Sequence, residues 1–338
     1  MFKRLYKNQS VREQGTLVYF REKMNRRNVT HDVKHYEDCE QYFLSVGKCF
    51  VIEALMEFFG MDSTNQLPKM NISIHSLLPT ADLEKQFLKG IDNFLDKYIF
   101  PLNDGEAAYD GILSYSVNLI TSYMILTDFK DAVSSGNGEY LATLHKQLLT
   151  HFFSGSGFNS YAIEMLISIV QNEVLLSEAE AHKNKWASTV NWKGGPQKNI
   201  EIDLLQENRN KDIKLLIKNM GANKTDSSIK RVSKASAGVR NIIDAFDHQV
   251  NRQQRSSAHS HRSSLKDEEK IMADLRVLRP FQHTAGRSHD SFPGIPSDPL
   301  DDIDHAEFDK WLTRHKKNIV MHFPVESADG VDIDGENN

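Results

Sequence analysis

The chain has 338 residues, 39% of them hydrophobic, and a net charge of −5, enough apolar material for a folded body with one large core or two modest ones. Its two cysteines exclude a disulfide framework or zinc knuckle, and the charged N-terminus Met1-Phe-Lys-Arg-Leu-Tyr-Lys lacks the apolar stretch of a secretory signal. A reducing compartment follows, nucleus or cytoplasm.

Helical periodicity dominates the first 250 residues, with no run of alternating β-branched residues. The expected fold class is mainly α: an irregular multi-helix bundle, a disordered linker and an acidic C-terminal tail. His31 and His35 stand four apart, as two zinc ligands on one helix would, but no third ligand is evident and a solvated pair is the reading. A first long helix is expected over Tyr36–Phe59, ended by Gly60 and enclosing Cys39 and Cys49 as buried free thiols. After a long loop, a helix over Asp82–Tyr98 ends before Pro101. Three more follow, Glu106–Val133, Glu139–Phe153 and Asn159–His182, whose short connectors make them antiparallel neighbours at the centre of the core. Gly111–Thr127 is free of charge, but Ser114, Ser116, Asn118, Thr121 and Ser122 suit a core helix and not a membrane span.

Beyond the turn of Gly194, Gly195 and Pro196, helices are expected over Glu201–Met220 and from Thr225, as N-cap, to Val250. In the latter, Ile229, Val232, Ser236, Val239, Ile243, Phe246 and Val250 follow a 3-4 spacing that fits either a coiled-coil seam or docking on the protein's own core. The expected organisation is a helical domain over 1–250, a polar linker over 251–264, a small helical extension over 265–324 and a disordered acidic tail over 325–338. The extension would hold helices at Leu265–Leu278 and Asp302–Ile319.

Charge is uneven along this order. Residues 1–35 hold nine Lys or Arg against three acids and residues 208–262 twelve against four, whereas residues 290–338 hold twelve acids against four bases. The middle block, through Arg209, Lys211, Lys214, Lys218, Lys230, Arg231 and Lys234, could meet DNA or RNA, or the acidic tail could fold back on it. Asp203 and Glu207 are the best chemical candidates. One helical turn apart, they could hold Mg²⁺ or Mn²⁺ for phosphoryl transfer, with Lys211 a turn further towards a phosphate. They equally suit the dipole of a helix N-terminus, with Glu207 and Lys211 as an i,i+4 ion pair and no cofactor. The Thr225–Val250 helix could also pair with a protein partner or a second copy. No phosphate-binding loop, dinucleotide fingerprint, nucleophile elbow or kinase signature is present.

Several ordered blocks carry a resemblance: the run from Gly15 to Val29, Asp110-Gly-Ile-Leu-Ser-Tyr, Trp192-Lys-Gly-Gly, Asn199-Ile-Glu-Ile-Asp203-Leu-Leu-Gln-Glu207 and Ile229-Lys-Arg231-Val-Ser-Lys-Ala. Together they resemble the C-terminal part of domain-of-unknown-function family 6589. That resemblance implies descent from a mobile element and a ribonuclease-H-like nuclease core whose last acid sits on a helix with a base four positions on, the places of Glu207 and Lys211. It also implies earlier acids on an upstream strand-rich segment, before the start of this chain, and a His where Asn208 stands. The expectation is a non-catalytic remnant that binds nucleic acid; the alternatives are a metal-dependent nuclease using Asp203 and Glu207, and a helical scaffold.

Overall fold

The computed structural model describes residues 2–6, 9–71, 80–99, 109–154, 159–192, 194–249, 264–296, 298, 300, 301 and 303–322. Residues 251–263 of the linker expected over 251–264, and the tail expected over 325–338, lie outside them. The architecture is mainly α. In chain order it comprises α1 (Phe2–Tyr6), α2 (Leu17–Lys23), α3 (Tyr36–Phe59), α4 (Thr80–Tyr98), α5 (Gly111–Ser135), α6 (Gly138–Ser154), α7 (Asn159–Val170), a π-helical turn at Gln171–Leu175 and α8 (Glu178–Trp186). Then come β1 (Thr189–Val190), β2 (Ile200–Glu201), α9 (Ile202–Asn219), α10 (Asp226–Gln249), α11 (Leu265–Leu278) and α12 (His305–His322). The chain divides into two compact units, one of residues 1–130, 142–181 and 264–338, the other of 131–141 and 182–263.

The first unit is built on α3. Its buried side chains Phe43, Phe50 and Phe58 share a cluster with Leu17 and Phe20 of α2, Phe94 and Tyr98 of α4 and Tyr115, Leu119 and Ile120 of α5. Phe20, Phe50, Phe281 and Tyr98 form a chain of edge-on rings with centroid distances of 6.3, 6.3 and 5.5 Å, the geometry that aromatic quadrupoles favour. Gly47 lets α3 and α5 approach closely: a Cβ there would overlap the Tyr123 ring. Cys39 and Cys49 are buried free thiols on α3, and burial pushes Cys49 up to about 12, so it stays a thiol.

α11, from the expected extension over 265–324, packs on α3 and buries Ile271 and Leu275 completely in the same cluster. Its acids meet bases from the N-terminal part of the chain: Asp274 pairs with Lys23, Asp267 with Arg26 at 2.6 Å and Glu268 with Lys48 at 2.8 Å. A second, smaller cluster joins Leu149 of α6, Ala162, Leu166 and Val170 of α7 and Ile319 of α12. The α5–α7 run is therefore divided between two clusters, and α3 is the central helix of the larger one.

One expected helix is broken. The helix anticipated over Asn159–His182 loses its regular pitch in the π turn and stops at Leu176. There Ser177 and Glu180 form a reciprocal capping box, Ser177 N–H donating to Glu180 Oε2 at 3.0 Å and Glu180 N–H to Ser177 Oγ at 3.4 Å, which starts α8 afresh. His31 lies in a turn and His35 is the N-cap of α3, and both are exposed, as a solvated pair would be. Among the described residues, no helix is long and apolar enough to cross a membrane.

Candidate nucleic-acid interface

The second unit presents the residues singled out for chemistry. Its base is the turn between α5 and α6, where Gly136 takes the left-handed conformation (φ 72°) and Asn137 Oδ1 accepts from Tyr140 N–H at 3.0 Å. The chain returns past this turn through an antiparallel strand pair, Thr189 opposite Glu201 and Val190 opposite Ile200. Asn199 N–H donates to Ser134 C=O at 3.1 Å, Ser134 Oγ donates to Gln197 Oε1 at 2.6 Å, and Lys185 pairs with Glu139 at 3.1 Å. Periodicity gives no sign of these ties, because they join short polar stretches distant in sequence.

The strand pair delivers α9, whose first N–H, that of Ile202, donates to Ser188 C=O at 3.1 Å. α9 turns through Gly221 (φ 60°) into α10, where Thr225 is the expected N-cap, its Oγ1 accepting from Ser228 N–H at 3.3 Å. The two helices pack against each other. On α9 the packed side is buried Leu205 with half-buried Ile213, Leu216, Ile217 and Met220, whereas Ile202 is exposed. On α10, Ile229, Val232 and Ser236 are half-buried, whereas Val239 and Phe246 of the stripe, and Ile242 beside it, stand in the open; the Ile243 side chain and Val250 lie outside the described residues. The 3-4 stripe of α10 thus divides into a half-buried N-terminal part and an open C-terminal part.

All the candidate polar residues are exposed: Asp203, Glu207, Arg209, Lys211, Lys214 and Lys218 on α9, and Lys230, Arg231 and Lys234 on α10. The steps of four, four, three and four from Asp203 through Glu207, Lys211 and Lys214 to Lys218 place these five along one face, opposite the packed side. Acids occupy its N-terminal half and bases its C-terminal half, as the helix dipole favours. Glu207 and Lys211 do not form the expected ion pair, and none of the seven cations has a carboxylate within 4.0 Å among the described residues. The contrast is with Lys23, Arg26 and Lys48, each held by an acid of α11.

For a metal, α9 offers two exposed carboxylates one turn apart, Asp203 and Glu207. Among the described residues no group of three or more His, Cys, Asp or Glu lies close enough together to hold an ion.

No curated protein and no solved structure matches the chain. Residues 1–259 match the model of DUF6589, a family of unknown function, and on that extent of match the chain belongs to this family.

Proposed function

We propose that this protein is an intracellular, non-catalytic member of its family that binds nucleic acid through the helical hairpin of α9 and α10. The observation that carries the reading is the set of seven exposed cations with no acid within 4.0 Å among the described residues, on two packed helices: Arg209, Lys211, Lys214, Lys218, Lys230, Arg231 and Lys234. Cations left free of carboxylates exchange their counterions for phosphates, and the released counterions drive binding without sequence preference. Descent from a mobile element, and correspondence to the C-terminal portion of a longer family domain, belong to the same reading, because a DNA-handling ancestor would leave such a surface behind. The buried thiols of Cys39 and Cys49 support a reducing compartment.

The test is fluorescence anisotropy of a labelled duplex DNA, and of an RNA of the same length, titrated with the protein at several salt concentrations. Affinity should fall steeply as salt rises, with a log–log slope of about −0.9 for each phosphate neutralised on a duplex. Absence of binding to either at about 50 mM salt removes the proposal. A metal-dependent nuclease is the rival, favoured by the exposed Asp203 and Glu207 on one face. It requires cleavage in Mg²⁺ or Mn²⁺ that disappears in a folded Glu207→Ala variant.

A further inference from the structure

The solvent face of α9 carries two leucines that its packing against α10 does not use. Leu204 is 42% and Leu215 57% exposed, and they lie three turns apart, about 16 Å along the axis, on either side of Asn208 and Lys211. The steps of four, three and four from 204 through 208 and 211 to 215 trace a seam of the kind through which two helices pack. Along one flank of this seam run Asp203, Glu207, Lys214 and Lys218, acids first and bases last, all exposed.

We propose that this face binds the same face of a second copy of the chain, with the two α9 helices antiparallel about a twofold axis passing near Asn210. Self-complementarity is the argument for that occupant. Reversing one helix sets Leu204 opposite Leu215 of the second copy, and Asn208 opposite Lys211. In an antiparallel pair the same flank of each helix meets its counterpart, so Glu207 faces Lys214 and Asp203 faces Lys218, each pair occurring twice by symmetry. The polar Asn208–Lys211 layer fixes the register at a cost in affinity, so the dimer is a weak one. Under the nucleic-acid reading, the second copy and a polyanion compete for Lys214 and Lys218; the pairing itself does not depend on that reading.

Sedimentation equilibrium of the full chain at about 100 μM, where a weak dimer is populated, measures the association. One variant, Asp203→Lys with Glu207→Lys, makes the flank wholly basic; another, Lys214→Glu with Lys218→Glu, makes it wholly acidic. Each alone should dimerise at least tenfold more weakly than the wild type, and an equimolar mixture should recover a one-to-one heterodimer. Helix content by circular dichroism should be unchanged, because all four side chains are exposed. A monomeric wild type, dimers that survive both reversals, or a mixture that fails to associate overturns the proposal. DNA binding separates the two ideas: the basic variant should bind DNA at least as tightly as the wild type even where dimerisation is lost.

Discussion

Arg287 grips the carboxylate of Asp110, its Nε lying 2.9 Å from Oδ1 and its Nη2 2.8 Å from Oδ2, while the Asp110 side chain is only 1% exposed. Asp110 also caps α5, accepting from the N–H groups of Ile112 and Leu113, and takes a further N–H from Thr284. Arg287 in turn donates to the carbonyls of Leu278, Arg279, Pro280 and Gln282, which include the end of α11. One ion pair therefore joins the start of α5 to the end of α11.

Removing one partner strands a buried charge, so Arg287→Ala should cost about 3–5 kcal/mol, and Arg287→Lys should recover only part of this because an ammonium cannot repeat the two-pronged contact. Burial pushes the Asp110 carboxyl up, but the Arg287 guanidinium and the N–H groups of Leu113 and Thr284 outweigh it and hold its pKa below the ordinary 3.8. The pair's contribution is complete above that ordinary value and is lost as pH falls through the lowered folded one. Urea unfolding should show a large gap between wild type and Arg287→Ala at pH 7, shrinking below pH 3.

α11 completes a core that begins more than two hundred residues earlier. Ile271→Ala and Leu275→Ala should each destabilise by about 2–5 kcal/mol, since both side chains are wholly buried. A chain ended at residue 259, the limit of the family match, should expose apolar surface on α3 and bind a hydrophobic dye that the full chain does not. A truncated chain with an unchanged melting curve would count against this packing.

Gly47 faces the ring of Tyr123 with no room for a methyl group. Gly47→Ala should lower stability by about 1–3 kcal/mol through overpacking. Pairing it with Tyr123→Leu should return part of the loss, and a double-mutant cycle on thermal melts would measure the coupling.

His289 is buried against Tyr115 and Phe292, with ring centroids at 4.7 and 5.2 Å, and its Nδ1 lies 3.0 Å from Glu13 Oε1 but off the hydrogen-bond axis. Desolvation lowers its pKa from the ordinary 6.5 against the upward pull of Glu13 and Asp290. Stability from the neutral ring is complete above that ordinary value and is lost as pH falls through the lowered folded one. Between pH 7.5 and pH 5 the wild type should lose more stability than His289→Gln, read as the difference in urea midpoints.

On the proposed interface, Lys230→Ala, Arg231→Ala and Lys234→Ala combined should weaken DNA binding at every sequence tested and reduce the salt slope by about one for each phosphate that is no longer neutralised. An unchanged slope would place the binding surface elsewhere.

The limits of α3 and α11 agree with expectation to the residue because each ends at a sharp signal, Gly60 in the left-handed conformation for α3 and an αL C-cap at Arg279 for α11. The break after α7 was equally open to reading, since Ser177-Glu178-Ala179-Glu180 spells a capping box, but the apolar pattern running through it masked the signal. β1 and β2 were not legible, because two-residue strands carry no periodicity. At the candidate site, the residues on the exposed face of α9 follow from helical spacing alone; that Glu207 and Lys211 stay apart does not.

Helix positions, the placement of Asp203 and Glu207 one turn apart and the buried thiols of Cys39 and Cys49 were settled by local order along the chain, because the 3.6-residue pitch and the capping residues act over a few positions. Which base meets which acid was settled only on folding. Lys23, Arg26 and Lys48 find acids on α11, while the cations of α9 and α10 find none within 4.0 Å among the described residues. A formal charge count cannot tell these two sets apart, because Coulomb attraction depends on distance in space and on solvent access, not on separation along the chain.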